Sequence, residues 1–172
     1  QETEAELDAL GDDIFAHFGM GCRNVTKVYL PLGFDLDRCF AQWVRWGHLG
    51  QHSKYANNYD YHKAVWLLNK EDMIENGFLL IKQDDRLVSP IGTLFVERYS
   101  EEESVVQNLG SRASELQVAT VRPGSDLQSK LEKRGLRVTT LGSNQCPSLG
   151  DYADGVDTMD FLLTLPKPSS HA

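Results

Sequence analysis

From Thr93 onward the sequence alternates two kinds of segment, and this alternation constrains the fold more than any other feature of the chain. Runs of β-branched and apolar residues at 93–98, 116–121 and 137–141 are separated by amphipathic runs at 100–109 and 125–135. A strand, a helix and another strand in the same direction make a crossover unit, so the pattern predicts an α/β fold with a mainly parallel sheet and flanking helices. Ser100-Glu101-Glu102-Glu103 and Ser125-Asp126-Leu127-Gln128 each have the spacing of a capping box, and Gly135 supplies a helix stop.

The first half carries the same two periods. Leu7, Leu10, Ile14 and Phe18 recur at spacings of three and four, which predicts a helix over 3–18 that ends at Gly19-Met20-Gly21. Residues 26–30 (TKVYL) form a β-prone run closed by Pro31. Asp35 then serves as the N-cap of a helix with Leu36, Phe40 and Val44 as its buried stripe. Residues 57–69 read as a third helix, although their aromatics also suit a strand, and 78–82 as a strand. Residues 159–165 (MDFLLTL) read as a last strand with no helix after it, free to pair at an edge or with a second copy in a homo-oligomer. The chain divides into one domain over 1–165 and a loose tail over 166–172. A chain of 172 residues is long enough to bury a sizeable core.

Charge and composition narrow the partners. Lysines and arginines total 17 against 25 acids, a net charge of −8. A surface for nucleic acid needs the opposite balance, so none is expected. No apolar run approaches the ~20 residues of a membrane span. The three cysteines, Cys22, Cys39 and Cys146, are too few for a disulfide framework, and none form a CxxC pair, so a reducing cytoplasm is the default location. There is no GxGxxG and no GxxxxGK[ST] phosphate loop.

Few residues are placed to carry chemistry. Cys22 sits in the turn Gly19-Met20-Gly21-Cys22-Arg23-Asn24, where the glycines leave room for a ligand and the adjacent Arg23 would favour the thiolate. A small packing cysteine fits the same pattern, and the residues alone favour that reading. Cys39 lies on the apolar face with Leu36 and Trp43 and reads as core; Cys146 stands in a polar loop before Pro147. His48 and His52 are four apart, but Gly47 and Gly50 argue against a regular helix and no third ligand is usefully spaced, so no metal site is expected. His17 and His62 are possible bases, and each fits a structural role better. The acidic run 151–158 lacks the ligand alternation of a calcium loop and reads as a connection.

Three stretches together resemble a known family: Asp13 to Lys27 with its phrase GCRNV, Lys54 to Ala64 with NNYDY, and Asp151 to Met159 with DYADGVDTM. They are similar to the acyl-CoA reductases typified by the LuxC fatty-acid reductase of luminous bacteria, over about residues 12–165. That family is in turn similar to the aldehyde dehydrogenases, where the nucleophilic cysteine is followed by Ser or Thr at +4, Arg or Lys at +5, and a strand. Thr26, Lys27 and VYL occupy those places here. The resemblance implies the fold of an aldehyde dehydrogenase catalytic domain, with Cys22 as the nucleophile. Cys22 would take the acyl group of an acyl-CoA or acyl-protein thioester, and hydride from NADPH or NADH would release the aldehyde. Oxyanion or substrate contacts fall to the backbone at Cys22 or Gly21, to Asn24 and to Arg23. Ser89-Pro90-Ile91 is similar to a Gly-Pro-Val segment near the nicotinamide ribose, but Arg86 stands where the family's Glu would be. The family's nucleotide-binding domain precedes the cysteine, and only 21 residues do so here, so that domain is expected to be absent from this chain and the cofactor to bind outside it. The alternative is a non-catalytic α/β interaction module with Cys22 buried.

Overall fold

The computed structural model describes residues 2–152 and 155–165. Helix α1 (Glu4–Phe15) opens on a capping box: the Thr3 hydroxyl accepts from Glu6 N–H at 3.2 Å and the Glu6 carboxylate accepts from Thr3 N–H at 2.7 Å. It ends earlier than its apolar period suggests. His17, Phe18 and Gly19 have φ of 54°, 60° and 70°, and three successive left-handed residues cannot continue a right-handed helix. Phe18 therefore joins the core from the turn and not from the helix face.

Strand β1 (Lys27–Pro31) follows, then α2 (Asp37–Trp43), with the Asp35 carboxylate accepting from Asp37 N–H at 3.0 Å. The buried stripe of α2 differs from the expected one. Leu36, Cys39 and Trp43 face the core, Phe40 is partly buried and Val44 is 71% exposed. After Trp43 the chain tightens into a 3₁₀ segment, Val44–Gln51, which rotates residue 44 away from the position an α-helix would give it. Helix α3 (Ser53–Leu68) is longer than expected and buries Tyr55, Tyr59 and Trp66 on one face, while Tyr61 is exposed.

Strands β2 (Ile74–Glu75), β3 (Leu80–Gln83) and β4 (Thr93–Tyr99) complete a sheet of order β1-β4-β3-β2. β1 and β3 run parallel to β4, with Lys27 opposite Phe95 and Leu80 opposite Thr93, and β2 is an antiparallel edge. Alternation divides the faces. Ile81, Leu94 and Val96 pack with Leu10, Ile14, Phe15 and Trp43 of α1 and α2, while Leu80 and Phe95 pack with Tyr59 and Trp66 of α3.

Helix α4 (Glu102–Ser111), β5 (Ala119–Val121), α5 (Asp126–Glu132) and β6 (Val138–Thr140) realise the predicted alternation, with β5 and β6 parallel. Among the described residues these two strands form a separate two-stranded sheet, where one continuous sheet was expected. They are short and only partly buried, and a cavity separates β5 from β1. Ser100 does not cap α4. β4 runs on to Tyr99, so Ser100 is used in leaving the sheet and Glu101 becomes the N-cap without a side-chain bond. Ser125 does cap α5, accepting from Leu127 N–H, but Gln128 turns to Glu132 and does not reach back.

Residues 159–165 are not a strand. Asp157 accepts from Met159 and Asp160 N–H groups and starts helix α6 (Thr158–Thr164), where Met159, Phe161, Leu162 and Leu163 are exposed. Local capping supplied the hydrogen bonds that a lone strand would have had to find in a partner. The strand-mediated homo-oligomer expected here therefore loses its structural basis. No helix among the described residues is long and apolar enough to cross a membrane.

Candidate functional site

The turn that carries Cys22 is fixed by the side chain of Asn24. Its Nδ2 donates to the carbonyls of Asp13, Ile14 and Ala16 at 2.9–3.0 Å, and its Oδ1 accepts from Gly21 N–H at 2.7 Å. The amide thereby satisfies the C-terminal carbonyls of α1, which no intrahelical donor can reach. This spends the side chain, so Asn24 positions the turn and is not available as an oxyanion donor. Backbone bonds from Asn24 N–H to Gly21 and from Val25 N–H to Asp13 close the loop. A Cβ at Gly21 would stand 2.7 Å from Asn24 Oδ1, which is the close approach that requires glycine there.

Cys22 is exposed. Among the described residues the N–H groups of Cys22 and Arg23 make no hydrogen bond, whereas those of Met20, Gly21, Asn24 and Val25 all do. Cys22 and Arg23 thus carry two successive backbone donors with no hydrogen-bond partner among the described residues. Arg23 turns inward to Asp151. Its side chain is 8% exposed, reaches the Asp151 carbonyl at 3.4 Å, and faces the Asp151 carboxylate at 3.9 Å. The backbone N–H bond from Ser148, and then the Arg23 and Arg137 charges, hold the Asp151 carboxyl below the usual range.

The strand leaving this turn is clamped to the 84–93 loop. Thr26 Oγ1 donates to Leu87 O at 2.8 Å, and Lys27 Nζ to Asp85 O at 2.9 Å and to Glu97. Ser89 and Thr93 close the far end of the loop through bonds to Thr93 O and Pro90 O. Arg86 is occupied by Asp84 at 2.7–2.8 Å. Thus the +4 and +5 residues and the Ser-Pro-Ile segment, noted separately in the sequence, meet through Thr26 and the loop.

The remaining candidates scatter. Cys39 is sealed in the core, where burial pushes its thiol up to about 12, and Cys146 is exposed on the 143–146 turn. His17, His48 and His52 line one aromatic pocket with Phe15, Phe18 and Trp46, but among the described residues no group of His, Cys, Asp or Glu has metal-binding geometry. Burial lowers the pKa of His62, which packs against Trp66. Tyr59 of the NNYDY stretch bonds Glu75 at 2.6 Å and packs on Gly92, a structural role. Residues 153–154 of the DYADGVDTM stretch lie outside the described residues.

Sequence reasoning missed the buried polar centre behind the turn. Asp13 is fully buried, its carboxylate accepting from Gly142 N–H at 2.6 Å and Asn144 N–H at 3.0 Å. Asn144 Oδ1 in turn takes the hydroxyls of Thr120 and Thr139. One signal was present: Asp13 falls three residues after Leu10, on the apolar face of α1. Nothing in the Gly142–Gln145 loop marked its partner.

The connections that open the crossover helices do not fit a dinucleotide. Glu102 and Glu103 fill the first turn of α4, and Ser125 and Asp126 occupy the start of α5. Those carboxylates repel a pyrophosphate where a helix N-terminus would otherwise attract one. Comparison with known proteins adds no relative: no protein-family profile matches the chain, and no curated protein matches it.

Proposed function

We propose that this chain accepts an acyl group on Cys22, as the thioester-forming half of an acyl-CoA reductase. One observation carries the reading: an exposed thiol in a turn held by the Asn24 amide, where the Cys22 and Arg23 N–H groups have no hydrogen-bond partner among the described residues. The Cys22 thiolate attacks the carbonyl carbon of an acyl thioester. The negative charge that develops on the carbonyl oxygen falls to those N–H groups, each such donor being worth roughly a hundred- to a thousand-fold in rate. The bond to the donor sulfur then breaks, and coenzyme A leaves as a thiol with the proton the Cys22 thiol gave up. A nicotinamide cofactor would supply hydride for the second half-reaction. The carboxylates at the starts of α4 and α5 disfavour a pyrophosphate at those two helix ends. The open position of Cys22 also removes the burial on which the alternative, a non-catalytic module, relied.

Incubation with a long-chain acyl-CoA and intact-mass analysis test the proposal. The expected product carries one acyl group, is cleaved by hydroxylamine, forms in Cys146→Ala and is absent in Cys22→Ala. An adduct that persists in Cys22→Ala, or no adduct in the wild type, refutes it.

A further inference from the structure

We infer that the space between β1 and β5 is a slot for one extended apolar strand of a second polypeptide, which would join the two sheets into one. Both strands end a sheet: β1 is the outer strand of the four-stranded sheet, and β5 pairs only with β6. The cavity between them has a volume of about 190 Å³. It is lined without a break by residues 25–29 on one side and 118–121 on the other. Side chains of a strand alternate between its two faces, so a cavity over one face touches every second residue. Contact with consecutive residues on both sides places this cavity in the plane of the sheets, edge to edge.

The ladder bonds fix which backbone groups face the slot. Phe95 N–H donates to Thr26 O at 3.1 Å and Leu32 N–H to Tyr99 O at 2.9 Å, so the even-numbered residues of β1 bond to β4. Lys27 and Tyr29 therefore turn their N–H and C=O groups to the open edge. On β5, Ala119 N–H donates to Arg137 O at 2.9 Å and Val121 O accepts from Leu141 N–H at 3.1 Å, so Thr120 turns its N–H and C=O away from β6. An unpaired strand edge is a template for another strand. A peptide backbone offers donors and acceptors on both of its own edges at the same repeat, which suits it to two facing templates.

The layers above and below decide the side chains of the insert. Val28 joins the cluster of Leu10 and Ile14 of α1, while Tyr29 joins that of Val105 of α4 and Leu131 of α5. A strand between those layers is covered on both faces, and such strands are unbroken apolar, β-branched runs. The charges on the wall are spent within the chain, Lys27 on Glu97 and Arg23 on Asp151. The slot therefore suits an uncharged segment and not a carboxylate or a phosphate. β5 has three residues and β1 five, which sets the length of the insert. The inference does not depend on the chemistry of Cys22, which does not line the cavity.

Amide hydrogen exchange read by NMR on the wild-type chain, with and without the peptide acetyl-Lys-Val-Ile-Val-Ile-Val-Lys-amide, tests the inference, with affinities from calorimetry. A second peptide of the same sequence, N-methylated at alternate residues, keeps the side chains and the charge but loses the donors of one edge. The first peptide is expected to slow exchange at Lys27, Tyr29 and Thr120 at least tenfold, and to bind at least about tenfold more tightly than the second. Equal affinities for the two peptides, protection that falls on Ile74 and Glu75 of the other sheet edge instead, or no binding of either would overturn the inference. So would dodecanoate shifting the methyls of Leu109 and Leu131 where the peptide does not, a result that assigns the cavity to an acyl chain.

Discussion

Asp13→Ala tests the buried polar centre that holds the Cys22 turn against the 142–144 loop. The substitution removes the acceptor of Gly142 N–H and of Asn144 N–H, bonds of 2.6 and 3.0 Å, and leaves both donors inside. Each orphaned donor costs about 1–3 kcal/mol, a gross loss of about 2–6 kcal/mol. Loss of the buried charge returns part of this, because a desolvated carboxylate carries its own penalty, and the expected net destabilisation is about 2–4 kcal/mol. Asp13→Asn keeps one acceptor oxygen and should lose about half as much. Denaturant midpoints at unchanged slope measure both values.

The pH dependence gives an independent check. Burial pushes the Asp13 carboxyl above the ordinary 3.8, and the two backbone bonds do not offset this. A carboxyl whose folded pKa exceeds its unfolded one contributes stability that is fully present below the unfolded value and lost as pH rises through the folded one. The stability gap between wild type and Asp13→Ala should therefore widen as pH falls from neutral toward 3.8, while carboxylates common to both cancel. A loss below about 1 kcal/mol for Asp13→Ala would refute the clamp, since that is less than one orphaned buried donor. A gap that narrows on acidification would refute the role of burial.

Three further outcomes follow from packing. Cys22 and Cys146 should alkylate in the folded protein and Cys39 only on unfolding, read by peptide mass mapping; Cys39 reacting at a comparable rate would contradict its burial. Trp43→Ala should cost about 3–5 kcal/mol. Val44→Ala should stay within about 0.5 kcal/mol, and similar midpoint shifts for both would mean that α2 does not turn at Trp43. Gly142→Ala should lower thermal stability markedly, because φ is +83° and the new Cβ would meet Ala9 Cβ at 2.8 Å; an unchanged melting temperature would mean that the loop does not rest on α1.

The sequence by itself determined the kind of element at most positions. The strand–helix alternation after Thr93, the core place of Cys39 and the turn at Gly19–Asn24 follow from local periodicity and from backbone rules, which act over a few residues. Where a local choice depended on distant partners, the pattern misled. Residues 159–165 have strand-like composition, yet the Asp157 cap starts them as a helix. Val44 has the right spacing for the core, yet the tightening after Trp43 turns it to solvent. The site divides in the same way. The cysteine turn was legible because glycines and a cysteine are local signals. Tertiary structure alone decided that Asn24 is a cap, that Arg23 turns inward to Asp151, and that Asp13 anchors a loop some 130 residues away. A buried polar group must find its partner wherever the chain brings one, and sequence spacing carries no record of a contact made across that distance.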